Sequence, residues 1–192
     1  VNERVAVLDG SVYDVFARKS LTNSEIHTFT TIPDMLLALK RGKVDAIMVD
    51  EITGNVYTTQ NSELAVLADD FLSQSLGLGF NKNNEALRTD FNAFLQEIQK
   101  SGVYDEMVRR WFSDSPQSAV MPEIEVPSEG PVLRQGIDNV DLPYVSYQNG
   151  KYVGFDIELL RRYARSRGYQ VELVSSNFGS LIPALISGKV DI

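Results

Sequence analysis

The sequence predicts an α/β fold, and three observations carry that reading. Short apolar runs with strand character alternate with segments in which apolar residues recur every three or four positions. The first run, RVAVL (residues 4–8), passes through Gly10 and Ser11 directly into a helical pattern, which is the order strand, glycine turn, helix. The tetrapeptide GKVD occurs at 42–45 and again at 188–191, each time closing a helical stretch and opening a strand.

RVAVL is apolar enough for a buried strand, and the stretch after Gly10 sets Val12, Val15 and Phe16 on one helical face. The single histidine, His27, stands in the alternating EIHTFTT and reads as a strand residue. With no second histidine it suggests no metal site. IPDMLLALKRG (32–42) has Pro33 near a helix start, Leu36 and Leu39 on one side, and Gly42 where a C-terminal cap belongs. DAIMV (45–49) follows as a strand, LAVLA (64–68) as a shorter one, and the two glycines of LGLGF (76–80) suit a close crossing of backbones.

ALRTDFNAFLQEIQKSG (86–102) is the longest helical pattern, with Leu87, Phe91, Phe94, Leu95 and Ile98 on one face, and VYDEMVRRWF (103–112) adds a short helix. Residues 113–130 then change character: prolines and acidic side chains without periodicity read as an exposed linker. Beyond it VLRQGID (132–138) is a strand and YQNGKY (147–152) carries the Asn-Gly of a tight turn. FDIELLRRYARSRG (155–168) is an amphipathic helix, VELVS (171–175) a strand, and SLIPALISGKVDI (180–192) stops as a further strand begins.

Composition narrows the function. A chain of 192 residues with 43% hydrophobic residues can bury a core. The formal net charge of -8, from 18 basic and 26 acidic residues, would repel a phosphate backbone, so nucleic acid is not an expected partner. The absence of cysteine excludes disulfides, thiolate chemistry and Cys-ligated zinc, and is compatible with an oxidising compartment. No apolar run approaches the ~20 residues that span a bilayer. The start, VNERVAVLDG, has neither an initiator Met nor a signal-peptide pattern, so Val1 is not expected to be the native start. One histidine and no G-x-S-x-G elbow give no support to a nucleophilic triad, and the Gly77-Leu78-Gly79 triplet lacks the third glycine and downstream acid of a dinucleotide site. Neither enzymatic activity nor a cofactor is expected.

The stretch from LRQGIDNVDLPYVSYQNGKYVGFDIELL to SLIPALISGKVDI closely resembles the opening of the periplasmic amino-acid-binding proteins of ABC transporters, solute-binding protein family 3, whose Venus-flytrap module also occurs in sensors. VAVLDGSVYDVFARK, LLALKRGKVDAIMVDE and LGLGFNKNNEALRTDFNAFLQEIQKSGVYDEMVRRWF resemble the later half of the same family. The resemblance therefore implies an α/β, two-lobed fold of the type II periplasmic-binding-protein kind, incomplete or permuted. Residues 1–76 would be a second-lobe subdomain, 77–112 a crossover strand and C-terminal helices of a first lobe, 113–130 the linker, and 131–192 the N-terminal part of the first lobe of a following module. Excision from tandem modules and rearrangement of a single module both fit, and the acidic, proline-rich linker favours the tandem origin.

An amino acid carries an ammonium and a carboxylate a few ångströms apart, so its pocket must offer carboxylates to one and hydrogen-bond donors to the other. Asp50 ends the strand DAIMVD, where side chains of α/β lobes reach the cleft, and the resemblance places the family's ammonium-binding Asp there; a cap for the following turn is the alternative. Gly10-Ser11-Val12 leads into a helix N-terminus, whose free N–H groups and positive dipole end suit a carboxylate, and the alternative is a plain cap by Ser11. The resemblance further implies ligand roles for Asp138, Tyr144 and Phe178, each of which could instead belong to core or surface. Asp141 stands where many members carry an aromatic, and the Gly-Thr/Ser-x-Thr-x-x-Arg motif, whose Arg grips the ligand carboxylate, is absent. The implied partners are a polar amino acid and an ABC permease, or the membrane domain of a sensor kinase or cyclase. The implied location is periplasmic or extracellular, with possible membrane anchoring, and incomplete sheets leave room for a homodimer or segment swap.

Overall fold

The computed structural model describes residues 2–67, 72, 76–112, 118–138 and 143–192. They divide into two compact units, Val1–Gln74 with Asn177–Ser180, and Ser75–Ser176 with Leu181–Ile192.

The first unit is built on a parallel sheet of three strands. β1 (Arg4–Leu8) is central, with β2 (Glu25–Phe29) on one side and β3 (Ala46–Ile47) on the other. Val5, Ala6, Val7 and Leu8 are all buried, as a continuous apolar run in a strand covered on both faces should be. α1 (Val12–Ser20), α2 (Ile32–Lys40) and α3 (Glu51–Gln60) each follow one of these strands. Ala17, Met35 and Ala38 are buried. The Val12 and Val15 face of α1 is the open one, with Val15 66% exposed, so burial follows the small residue and not the valines.

The first GKVD segment fixes the register of β3. Both oxygens of Asp45 accept from the Arg4 guanidinium, at 2.7 and 3.0 Å, and Oδ2 also accepts from the Arg4 backbone N–H at 2.8 Å. The Asp45 N–H donates to the Arg4 carbonyl at 2.8 Å. The strand expected over 45–49 is regular only at Ala46–Ile47, although the Met48 N–H still donates to the Ala6 carbonyl at 3.0 Å. The strand expected over 64–68 does not form in its described part: residues 64–67 are irregular, with Val66 and Leu67 exposed, and Ala68 lies outside the described residues.

In the second unit β4 (Val132–Ile137) pairs in parallel with β7 (Gln170–Ser175), and β5 (Ser146–Gln148) forms a hairpin with β6 (Lys151–Val153). The hairpin turns through Asn149 and Gly150, both at positive φ, 51° and 81°. α4 (Glu85–Lys100), α5 (Val103–Trp111), α6 (Phe155–Arg167) and α7 (Phe178–Ile186) from Leu181 onward complete the unit. Its core joins Phe91, Phe94, Met107, Trp111, Leu133, Leu160 and Tyr163, with the Phe91 and Tyr163 rings 4.6 Å apart. Gly154 is obligatory where α6 begins, because a Cβ there would lie 2.1 Å from the Tyr144 carbonyl oxygen. Of the glycines in LGLGF, Gly79 meets Leu185 closely, at 3.1 Å from a Cβ, while the space beside Gly77 is open.

The second GKVD segment repeats the first. Asp191 accepts from the Arg134 guanidinium at 2.9 and 3.0 Å and from its backbone N–H at 2.9 Å, and the Asp191 N–H donates to the Arg134 carbonyl at 2.8 Å. Gly136 N–H donates to the Ile192 carbonyl at 2.9 Å, so the chain runs beside β4 as β3 runs beside β1. Of the linker expected over 113–130, residues 113–117 lie outside the described residues; Ile124 in the remainder is buried.

Candidate functional site

In the first unit the strand order β2-β1-β3 reverses at β1, since the chain moves from β1 to one neighbour and then crosses to the other. Ligands of open α/β sheets bind outside the carboxyl ends of the strands at such a switch point. Here β1 ends in Asp9-Gly10-Ser11 and β3 leads through Met48 and Val49 to Asp50. β1 and β3 pair through Val5↔Ala46 and Ala6↔Ile47, so Asp9 and Asp50 both lie beyond the carboxyl ends of neighbouring parallel strands.

Both candidate side chains are helix caps. Ser11 is buried, and its hydroxyl accepts from the Asp14 N–H at 3.2 Å to start α1, with Gly10 at a left-handed φ of 72°. Asp50 starts α3 by accepting from the Thr53 N–H at 2.9 Å and the Thr53 hydroxyl at 2.7 Å. The capping alternatives are thus what the geometry shows at both positions. A cap uses one lone pair on Ser11 and one on each Asp50 oxygen, so acceptor capacity remains on the carboxylate. Val12, the first residue of α1, is 44% exposed at the same edge. Asp9, exposed just beyond the end of β1, was not among the sequence candidates; its place between a buried strand and a glycine turn was the available signal.

The second unit offers a comparable edge. β4 ends at Ile137 and hands over to the half-buried Asp138, while its parallel partner β7 ends at Ser175. Phe178, 40% exposed, falls in the segment Asn177–Ser180 that groups with the first unit. Tyr144 is half-buried, its ring edge-on to Phe112 at 5.6 Å, which ties it to α5 and the core side of the unit. Asp141 lies outside the described residues. Sequence reasoning missed Asp156, in the first turn of α6, whose carboxyl burial pushes up to about 7. Among the described residues no group of three or more His, Cys, Asp or Glu side chains converges in a way that could hold a metal ion.

The family model for bacterial extracellular solute-binding proteins, family 3, matches residues 8–114 and 133–192. The chain belongs to this family. The solute-binding relatives include the L-cystine-binding protein TcyJ of Escherichia coli, 29% identical over 57% of this chain and 42% of TcyJ. The glutamine-binding protein GlnH of Bacillus subtilis is 24% identical over 59% of this chain and 41% of GlnH. A crystal structure of a mutant of ArgBP from T. maritima superposes with a TM-score of 0.56 at 31% identity, over 59% of this chain and 49% of that one. The fold is accordingly of the type II periplasmic-binding-protein kind. The B. pertussis BvgS periplasmic domain gives a TM-score of 0.46 at 20% identity over 98% of this chain and 39% of that chain. The chain spans less than half the length of TcyJ and GlnH. These named relatives are binding proteins and not enzymes. Among the described residues no helix is long and apolar enough to cross a membrane.

Proposed function

We propose that this chain is part of an extracytoplasmic receptor for a polar amino acid, in which Asp50 takes the ligand ammonium and the Gly10-Ser11-Val12 turn takes the carboxylate. The observation that supports this reading is the placement of a carboxylate and a helix N-terminus side by side at the carboxyl ends of the adjacent parallel strands β1 and β3. The two groups have opposite electrostatic character at a spacing of about one strand, which suits the two ends of an amino acid. Asp138, Tyr144 and Phe178 would belong to the complementary wall of a first lobe. In a tandem arrangement that lobe serves the next module, so one ligand would not meet both sets. The complete receptor would work in the periplasm or outside the cell and deliver its amino acid to an ABC permease.

A tandem sensor feeding a membrane kinase or cyclase is the second reading; the acidic, proline-rich segment between two stretches that each match the family supports a tandem origin and suits transport and sensing alike. The full-length gene separates the two, since a permease belongs with transport and a cytoplasmic kinase or cyclase with sensing. Self-association by an incomplete sheet belongs to the same proposal, and light scattering reads it directly.

This chain has no Gly-Thr/Ser-x-Thr-x-x-Arg motif, and a missing charge-assisted pair weakens binding by roughly 1.5 to 3 kcal/mol. Free amino acids should therefore bind with Kd above about 0.1 mM. Calorimetry against the polar amino acids tests this. Weak heats that vanish in Asp50→Ser support the assignment; micromolar binding that survives the substitution overturns it.

A further inference from the structure

Away from the candidate site, one long surface of the first unit is built like a receptor for an extended chain. β2 is an edge strand. The Glu25 N–H donates to the Glu3 carbonyl and the Asp9 N–H to the Phe29 carbonyl, so residues 25, 27 and 29 turn their backbone groups toward β1. The intervening residues, Ile26 and Thr28, must turn theirs outward. Edge strands are usually blunted by lysine, proline or a bulge, yet β2 is five regular residues, EIHTF, with neither lysine nor proline.

Beside this edge lies a groove of about 380 Å³ lined by Thr28, Phe29, Thr30, Leu37, Ala38 and Arg41, with Asp34 and Lys43 at its margins. Its floor is apolar: Ala38 is buried, Phe29 half-buried and Leu37 44% exposed. Its charge is positive. Asp34 adds one negative charge and accepts from the Thr31 hydroxyl at 2.6 Å, while among the described residues Arg41 and Lys43 meet no carboxylate at ion-pair distance, so the lining carries a net positive charge. Lys40, by contrast, is paired with Glu63 at 3.1 Å on the neighbouring face. Two unengaged cations along an apolar groove are unusual in a chain of net charge -8.

From the open edge, the apolar floor and these cations together, we propose that the β2 groove binds an acidic, extended peptide segment of a partner protein by strand addition. The peptide backbone pairs with the outward groups of Ile26 and Thr28. On the strand face turned to α2, successive side chains are apolar and acidic in turn, lying on Phe29 and Leu37 and meeting Arg41 and Lys43. This site is separate from the amino-acid position at Asp50 and does not depend on it.

The test is the titration of the whole chain with a fluorescent peptide in which every second residue faces the groove, these positions being valine and glutamate in turn and the others serine, read by anisotropy at low salt. The expected result is saturable binding that falls by about tenfold or more in the double variant Arg41→Glu, Lys43→Glu. It should fall similarly when alternate peptide nitrogens are methylated, because that removes strand pairing and keeps every side chain. The methylated peptide needs no protein variant, so the proposal stays testable even if the double variant fails to fold. Absence of saturable binding, equal binding of the methylated peptide, equal binding of a valine-lysine peptide, or a β2 edge occupied by a second copy of this chain would each overturn it.

Discussion

Asp50 caps α3, and substitution can separate that role from the proposed one toward the ligand ammonium. Asp50→Ala removes both the Thr53 cap and the negative charge, and should cost about 1 kcal/mol of stability in urea unfolding; Asp50→Ser keeps a capping oxygen and should cost less than about 0.5 kcal/mol. Both should lose the amino acid. Glu158 is a different kind of residue: fully buried, it accepts from Arg110 at 2.8 Å, Trp111 Nε1 at 2.7 Å and Arg162 at 2.9 Å, joining α5 to α6. Glu158→Ala would strand two guanidinium groups and an indole N–H, at about 3 to 5 kcal/mol in the same assay. Asp156 should set the pH dependence, since burial raises its folded value to about 7, above that of an unfolded Asp at about 3.9. The folded state then holds the extra proton between those values, so the stability from Asp156 is complete below about pH 4 and is lost as pH rises through about 7. Asp45, held down to about 2 by its bonds from Arg4, acts oppositely: its contribution is present above the unfolded value and lost as pH falls toward 2. Asp156→Asn should flatten the fall in melting temperature between pH 4 and 7, and an unchanged profile would count against this assignment. Of the partners of Glu158 only Arg162, at i+4, lies within reach of a sequence pattern; the contacts with Arg110 and Trp111 span 48 and 47 residues and do not show.

Elements with strong periodicity were legible almost to the residue. RVAVL is β1, VLRQGI is β4, and the Phe155, Leu159, Tyr163 spacing is the buried face of α6. α3 was not, because EITGNVYTTQ mixes a glycine, three threonines and a valine with little amphipathic order, and only its Asp50 cap marks it. The apolar run at 64–67 misled in the other direction: hydrophobicity alone suggested a strand, but Val66 and Leu67 find no neighbour to pair with and stay exposed. The two GKVD segments carried more than a helix stop. Each Asp clamps an Arg on the strand its own segment will join, Arg4 in one case and Arg134 in the other, with nearly the same bonds. Asp45→Ala should therefore release β3 locally: the Met48 amide, bonded to the Ala6 carbonyl, should exchange faster with deuterium while amides of β4 and β7 keep their rates. A loss of protection spread through both units would mean that the clamp acts on global stability instead.

At the scale of the whole chain, the repeated motif describes two α/β units of similar plan, each ending its parallel strands at an edge that carries candidate ligand groups. The sequence showed this plan because glycine turns, caps and strand runs are local signals. It could not show which candidate groups face one ligand, since that depends on how units associate and on residues, such as the carboxylate-binding Arg, that this chain does not supply. The central claim concerns the edge of the first unit, where the N-terminus of α1 and Asp50 follow the adjacent parallel strands β1 and β3. Titration of the 15N-labelled chain with polar amino acids, followed amide by amide, tests it most directly. The account predicts fast-exchange shifts concentrated at Gly10, Ser11, Val12 and Glu51, with Kd above about 0.1 mM, and their disappearance in Asp50→Ser. Shifts centred elsewhere, or unchanged by that substitution, would contradict it.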